Sequence, residues 1–233
     1  MIVAISQRNL EYYENRNIDA LETNYIKYFE SFGFTLLPIP NVCKNVWAYF
    51  KKFPIDSIIL SGGNDVSPSL YGIKQRNKDS SEQRDNTERK LIEIALEKRL
   101  PVFGTCRGMQ FINVFFGGRL IQNVKSKTGV SHVRVIHPVQ IVDKKAAEFL
   151  NKDEFIVNSY HNQGIYSSSL SPELKSFAIS KEGVVEGIYH PNHPIAGIQW
   201  HPERPNSDKK ADKKLVESFI NHRLFWELNS RKH

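Results

Sequence analysis

The chain is poor in cysteine, in methionine and in long apolar runs. Its 233 residues hold two methionines and two cysteines, Cys43 and Cys106. So few thiols exclude a disulfide-dense scaffold and a repeated Cys-x-x-Cys zinc module, and both are expected to be reduced in a cytoplasmic protein. No stretch approaches the roughly 20 apolar residues of a membrane span, so no membrane partner is expected. The opening Met1-Ile2-Val3-Ala4-Ile5-Ser6 lacks a basic n-region and a long apolar h-region, and reads as a first strand rather than a signal peptide. Acidic residues are outnumbered, 25 against 32 Lys and Arg, for a formal charge of +7. The excess falls in separate pairs such as Lys51-Lys52, Lys144-Lys145 and Lys209-Lys210 rather than one tract. A solvated surface accounts for them; a surface that draws in an anionic substrate is the functional alternative. No nucleic-acid module with interleaved aromatics is present, so nucleic acid is not an expected partner. Internal repeats, low-complexity segments and Pro/Gly-rich linkers are also missing, so residues 1–233 are expected to form a single domain.

What is there is an alternation of short apolar runs and longer amphipathic segments. Strands are predicted at 1–6, 35–39, 57–60 and 101–103, with helices at 20–32, 87–98 and 108–116. Such alternation implies a parallel sheet covered on both faces, an α/β fold. The second half carries strand patterns at 133–142, 154–158, 176–180, 184–189 and 195–199, then a closing helix at 210–227.

The run Leu100-Pro101-Val102-Phe103-Gly104-Thr105-Cys106-Arg107-Gly108-Met109-Gln110 places Cys106 at a strand-to-helix corner. A helix N-terminus offers unpaired N–H groups and partial positive charge, both favouring a thiolate. The layout is that of a nucleophile elbow with cysteine in place of serine. Gly104 and Gly108 permit a sharp turn and a substrate's close approach. Taken alone, Cys106 also reads as a small buried hydrophobe. Far downstream, Gly197-Ile198-Gln199-Trp200-His201-Pro202-Glu203 ends a predicted strand in a histidine and a carboxylate. A thiol nucleophile needs a base and a group to orient that base, and His201 and Glu203 supply both types. In open α/β sheets the carboxyl ends of the strands form the ligand crevice, where all three would lie.

The segments 104–110 and 197–203 together closely resemble the class I glutamine amidotransferase superfamily, over nearly the whole chain. The resemblance implies an open, mostly parallel sheet flanked by helices, with Cys106, His201 and Glu203 as a triad that cleaves a γ-glutamyl amide through a thioester. Leu60-Ser61-Gly62-Gly63-Asn64-Asp65-Val66-Ser67-Pro68, with Tyr71-Gly72 after it, resembles γ-glutamyl hydrolases of the peptidase C26 type. By that resemblance the N–H groups of Gly63 and Arg107 form the oxyanion hole; paired glycines after a strand also read as an ordinary turn. Arg84-Asp85-Asn86-Thr87-Glu88 is similar to the family's Arg-Asp-x-x-Glu element, although Asp85 or Asn86 capping the next helix explains it as well. Val157-Asn158-Ser159-Tyr160-His161-Asn162-Gln163 resembles a further family stretch, which implies Ser159, Tyr160 and His161 near the glutamyl head group, together with Gln110 and Glu186. Such a head group needs acceptors for its ammonium and donors for its carboxylate, and this set offers both.

Cys43 has no partner nearby in sequence and is taken as structural. His190-x-x-His193 has a spacing metals can use, but its prolines and the want of further ligands read as a loop. No metal or cofactor is therefore expected. The implied reaction is hydrolysis of a small γ-glutamyl conjugate to glutamate and an amine, since no synthetase or ATP-binding segment is apparent. γ-Glutamyl-γ-aminobutyrate is one such substrate. The basic balance adds a phosphorylated leaving group, as in a γ-glutamyl-CDP-amidate, with Arg204 and Arg84 as candidate phosphate ligands or as structural ion pairs. The alternative is a glutaminase subunit that delivers ammonia to a separate synthase; a catalytically silent binding protein on the same fold is a third reading. The sequence leaves a homodimer open.

Overall fold

A computed structural model describes residues 1–13, 16–74, 77–220 and 224–227. In chain order the elements are β1 (Ile2–Ser6), β2 (Arg8–Tyr13), β3 (Arg16–Ala20), α1 (Thr23–Glu30), β4 (Thr35–Ile39), α2 (Trp47–Lys52), β5 (Ile55–Leu60), α3 (Glu82–Lys98), β6 (Val102–Thr105), α4 (Arg107–Phe115) and α5 (Val124–Thr128). There follow β7 (Val133–Ile141), α6 (Lys144–Leu150), β8 (Glu154–Tyr160), β9 (Ile165–Tyr166), β10 (Lys175–Ser180), β11 (Val184–Tyr189), β12 (Ile195–Ile198) and α7 (Lys209–Ile220). One 10-stranded sheet runs β4-β1-β5-β6-β12-β11-β10-β7-β8, with β9 paired to β11. Its body, β4 to β12, is parallel; from β11 onward it continues antiparallel.

The apolar runs explain the two-sided cover. Alternate side chains of a strand face opposite ways, so Val3 and Ile5 of β1 and Ile59 of β5 join one core with Tyr25, Phe29 and Phe219. Ala4, Ile58 and Leu60 join the other, with Leu91 of α3 and Met109 and Ile112 of α4. Each fully buried side chain of this kind contributes about 1.5–3 kcal/mol.

Four boundaries differ from expectation. The helix predicted from residue 20 starts at Thr23, because Ala20 pairs with Arg8 in the separate β2–β3 hairpin. Helix α3 starts at Glu82 rather than residue 87, since the Ser81 side chain accepts the Arg84 N–H and caps it. Helix α4 starts at Arg107, immediately after the cysteine. The closing helix spans Lys209–Ile220; of its predicted length, 221–223 lie outside the described residues. Among the described residues no helix is long and apolar enough to cross a membrane.

Candidate active site

Parallel register assembles the site. Leu60 pairs with Gly104, and Thr105 with Ile198, so β5, β6 and β12 end at the same edge of the sheet. The residues that follow them, Gly62-Gly63, Cys106 and His201, therefore emerge together. A cavity of about 210 Å³ opens there, lined among others by Gly63, Cys106, Arg107, Gln110, Tyr160 and His201.

Cys106 caps α4 with φ 51° and ψ −106°, and its N–H is held by the Ile198 carbonyl at 2.8 Å. A non-glycine residue in that region carries on the order of 1–3 kcal/mol of strain. The turn is possible because α4 rides directly on β5: a Cβ at Gly108 would run into the Leu60 backbone. Gly62 and Gly63 are glycines for different reasons. A Cβ on Gly62 would come within 2.8 Å of His201 Cε1 and 2.9 Å of the Tyr25 hydroxyl, whereas Gly63 has φ +81°, which L side chains rarely adopt. The Gly62 N–H donates to the Tyr25 hydroxyl at 2.8 Å, and that hydroxyl bonds Thr105 Oγ1 at 2.8 Å. Burial, reinforced by the Glu203 charge, pushes the Tyr25 phenol well above its ordinary pKa, so it stays protonated.

Behind the loop lies a fully buried ion network. Arg84 donates to three consecutive carbonyls, Ser61 at 2.6 Å, Gly62 at 3.1 Å and Gly63 at 2.6 Å, and pairs with Glu88 at 2.9 Å. Arg107 pairs with both Glu88 and Asp85. Burial draws Arg84 down to about 10 and Arg107 to about 9, so at neutral pH two guanidinium ions still face two carboxylates. Asp85 thus pairs with Arg107 and does not cap the helix. Arg84 is buried, and its role as a phosphate ligand is replaced by one in shaping the Ser61–Gly63 backbone. Arg107 opens α4, so its N–H has no acceptor within the helix, and both Arg107 and Gly63 line the cavity.

His201 Nδ1 meets Glu203 Oε1 at 2.6 Å, leaving Nε2 for the sulfur. Burial opposes the imidazolium, but the charges of Cys106 and Glu203 and hydrogen bonds with both outweigh it, and His201 is pushed up to about 10. Asn158 clamps the main chain here: its Oδ1 accepts the His201 N–H at 2.9 Å, and its Nδ2 donates to the carbonyls of His201 at 2.8 Å and Pro205 at 2.9 Å. The neighbouring Trp200 donates its indole N–H to Asp212 at 2.7 Å, tying the strand end to α7.

Gln110, Tyr160 and His161 line the cavity; Ser159 and Glu186 do not. The Ser159 hydroxyl is committed to the His132 carbonyl at 2.8 Å, and Glu186 lies buried on β11 against His132 and His161. The alternating pleat explains Ser159, which precedes Tyr160 at the end of β8; Glu186 sits in β11, whose six residues are all buried. The sequence did not reveal Arg8 and Glu22 at the cavity mouth, where Glu22 bridges Arg8 at 3.0 Å and Arg204 at 3.0 Å. Nor did it single out the Asn158 clamp, although an amide at the end of an apolar strand was a usable signal. His190 and His193 pack ring against ring, with centroids 4.6 Å apart.

The sequence model of the peptidase C26 family matches residues 1–203. The chain is 33% identical over 210 residues to the gamma-glutamyl-CDP-amidate hydrolase of Campylobacter jejuni, covering 88% of this chain and 92% of that one. It is 35% identical over 182 residues to a gamma-glutamyl-gamma-aminobutyrate hydrolase of Escherichia coli O157:H7, covering 71% of each. A glutamine amidotransferase structure from Thermotoga maritima superposes with a TM-score of 0.61 over 99% of this chain and 90% of its own; at 16% identity that likeness speaks for the fold alone.

Proposed function

Because the chain belongs to the peptidase C26 family and is a γ-glutamyl amide hydrolase, we propose that it works as a free-standing thiol hydrolase with Cys106 as nucleophile. The Cys106 sulfur attacks the γ-carbonyl, and the developing oxyanion takes the N–H groups of Gly63 and Arg107. His201 hands its proton to the leaving amine, which departs and leaves a thioester. The same ring then deprotonates the water that releases glutamate and restores the thiol, with Glu203 holding Nδ1 throughout. Gln110, Tyr160 and His161 receive the glutamyl head group; Ser159 and Glu186 support that wall from behind. The observation that carries this reading is the convergence of a strained cysteine at a helix N-terminus, a buried His201–Glu203 pair and the Gly63 turn in one cavity.

The leaving group is the open side of the bond. Relatives at 33% and 35% identity bear names with different amines, so identity does not choose between them. Arg8 and Arg204 at the mouth, joined through Glu22, are the cations an anionic leaving group would meet. The test is a panel of γ-glutamyl conjugates, with glutamine, GABA, peptide, polyamine and nucleotide phosphoramidate forms, read out as glutamate. Pure protein should turn over at least one conjugate much faster than glutamine, and salt should raise KM if that conjugate is anionic. Turnover of glutamine alone, and only with a synthase partner added, would overturn the free-standing reading in favour of an ammonia-delivering subunit.

A further inference from the structure

Three histidines and a glutamate meet on the antiparallel side of the sheet, next to the cavity. They are His132 just before β7, His137 within it, His161 just after β8 and Glu186 on β11. His132 Nδ1 lies 3.4 Å from Glu186 Oε1 and 3.3 Å from His161 Nε2; His161 Nε2 and His137 Nε2 each lie 3.8 Å from the same carboxylate oxygen.

The outer nitrogen of each ring faces an oxygen. His161 Nδ1 is 2.7 Å from the Gln163 carbonyl, His137 Nδ1 is 3.0 Å from the Pro138 carbonyl, and His132 Nε2 is 3.7 Å from Glu182 Oε2. Carbonyls only accept, so the outer nitrogens of His161 and His137 carry the ring protons and their inner ones present lone pairs, while His132 Nδ1 is placed to donate to His161 Nε2. Two imidazole lone pairs and a carboxylate thus converge on His132. Both Glu186 oxygens and His137 Nε2 have no hydrogen-bond partner among the described residues, and the Glu186 side chain is 1% exposed. A buried carboxylate costs several kcal/mol unless a cation answers it.

We propose that His132, His137 and Glu186 form a three-ligand site for a divalent cation of the zinc class, with water completing its tetrahedron. Zinc bonds to imidazole nitrogen and carboxylate oxygen of about 2.0–2.1 Å require tetrahedral edges of about 3.3–3.4 Å. One donor atom from each of these three residues lies within 4.8 Å of the other two, and Glu186 Oε1 sits 3.4 Å from His132 Nδ1 and 3.8 Å from His137 Nε2. Imidazole suits zinc, and a second hydrogen bond from each ligating ring to a carbonyl or carboxylate is the usual outer arrangement of such sites. His137, with its side chain 16% exposed, and Glu182 at 22% provide the entry side. The ion would pin β7 to β11 and, through the His132–His161 contact, brace the cavity wall. It would have a structural role and take no part in the bond cleavage; this last point alone rests on the hydrolase reading.

The test uses untagged full-length protein stripped with a chelator and titrated with Co2+ and then Zn2+. Expected are visible bands of tetrahedral Co2+ that saturate at one ion per chain and vanish as Zn2+ displaces it. His137→Gln should weaken Co2+ binding by about a hundredfold and Glu182→Gln by about tenfold, with folding of each checked by circular dichroism. Metal removal should raise KM for the best γ-glutamyl substrate more than it lowers kcat. Wild-type protein that shows no tetrahedral Co2+ spectrum, or a folded His137→Gln variant that binds as wild type does, overturns the site. Either result with γ-glutamyl turnover intact leaves the hydrolase reading standing. Metal binding without γ-glutamyl turnover would sink that reading and spare this one.

Discussion

The nucleophile side and the base side of the cavity are held by different physics. On the first, the Cys106 turn and the Gly62-Gly63 loop are set by the backbone and locked by a buried four-ion network, in which Arg84 alone grips three successive carbonyls. On the second, His201 hangs from the end of β12 by neutral hydrogen bonds to Asn158, one strand-end side chain. The first design has no slack: removing one ion strands another in a low-dielectric interior. The second leaves the imidazole facing Glu203 and the Cys106 sulfur. The difference teaches that buried charge fixes the backbone around Gly62-Gly63 and Cys106, whereas amide hydrogen bonds fix the backbone at His201.

Cys106→Ala should break the nucleophile side most completely in function and least in structure. Turnover should fall by about 10⁴-fold or more, while circular dichroism and substrate binding persist; retained turnover would refute the assignment. The same variant sharpens the His201 side. His201 is raised from 6.5 to about 10, so its contribution to stability is fully present below pH 6.5 and is lost as pH rises through about 10. Without the sulfur's charge that rise shrinks, so urea unfolding of Cys106→Ala should show a shallower loss of stability over this range than wild type. Equal slopes would mean that Glu203 alone sustains the raised value.

Glu88→Ala attacks the network. It leaves the side chains of Arg84 and Arg107 short of a shared carboxylate in a buried setting, at a cost of about 3–5 kcal/mol in denaturant unfolding. Loss of activity should accompany it, because the oxyanion loop loses its anchor. A cost below about 1 kcal/mol would mean that the network is dispensable. Asn158→Ala is the matching cut on the base side and should be milder. Its three hydrogen bonds are worth about 1 kcal/mol each at most, partly replaced by water, for a net cost of about 2 kcal/mol. kcat should fall by about tenfold with KM little changed. If Asn158→Ala proved more damaging than Glu88→Ala, the contrast between the two sides would be reversed.

How much of this was legible varied with sequence separation. The elbow was readable because Gly104, Cys106 and Gly108 lie within one turn, where a few backbone angles decide the geometry. The His201–Glu203 pair was readable for the same reason. Arg84 and Asp85 were recognisable as an element but not as its function, since only α3 packed on β5 shows that their partners are carbonyls and a second arginine. Ser159 and Glu186 were read as substrate contacts by resemblance, but neither lines the cavity: the pleat turns Ser159 away, and Glu186 is buried within β11. The β2–β3 hairpin was missed because its residues follow no apolar alternation, and cross-strand pairing alone makes it a strand pair. The short helices α2, α5 and α6 span too few residues for a helical period to stand out.

By itself the sequence determined the reacting chemistry: a thiol on a glycine-flanked corner, an imidazole with its carboxylate, and an α/β alternation to carry them. Those are local properties, written in residue identity and spacing over a handful of positions. Only the tertiary structure decided which groups at distant positions share a volume, namely that Arg84 holds the Ser61–Gly63 backbone and that His132, His137, His161 and Glu186 face one another. Strand register decides that, and a shift of one residue would turn each of those side chains to the other face of the sheet.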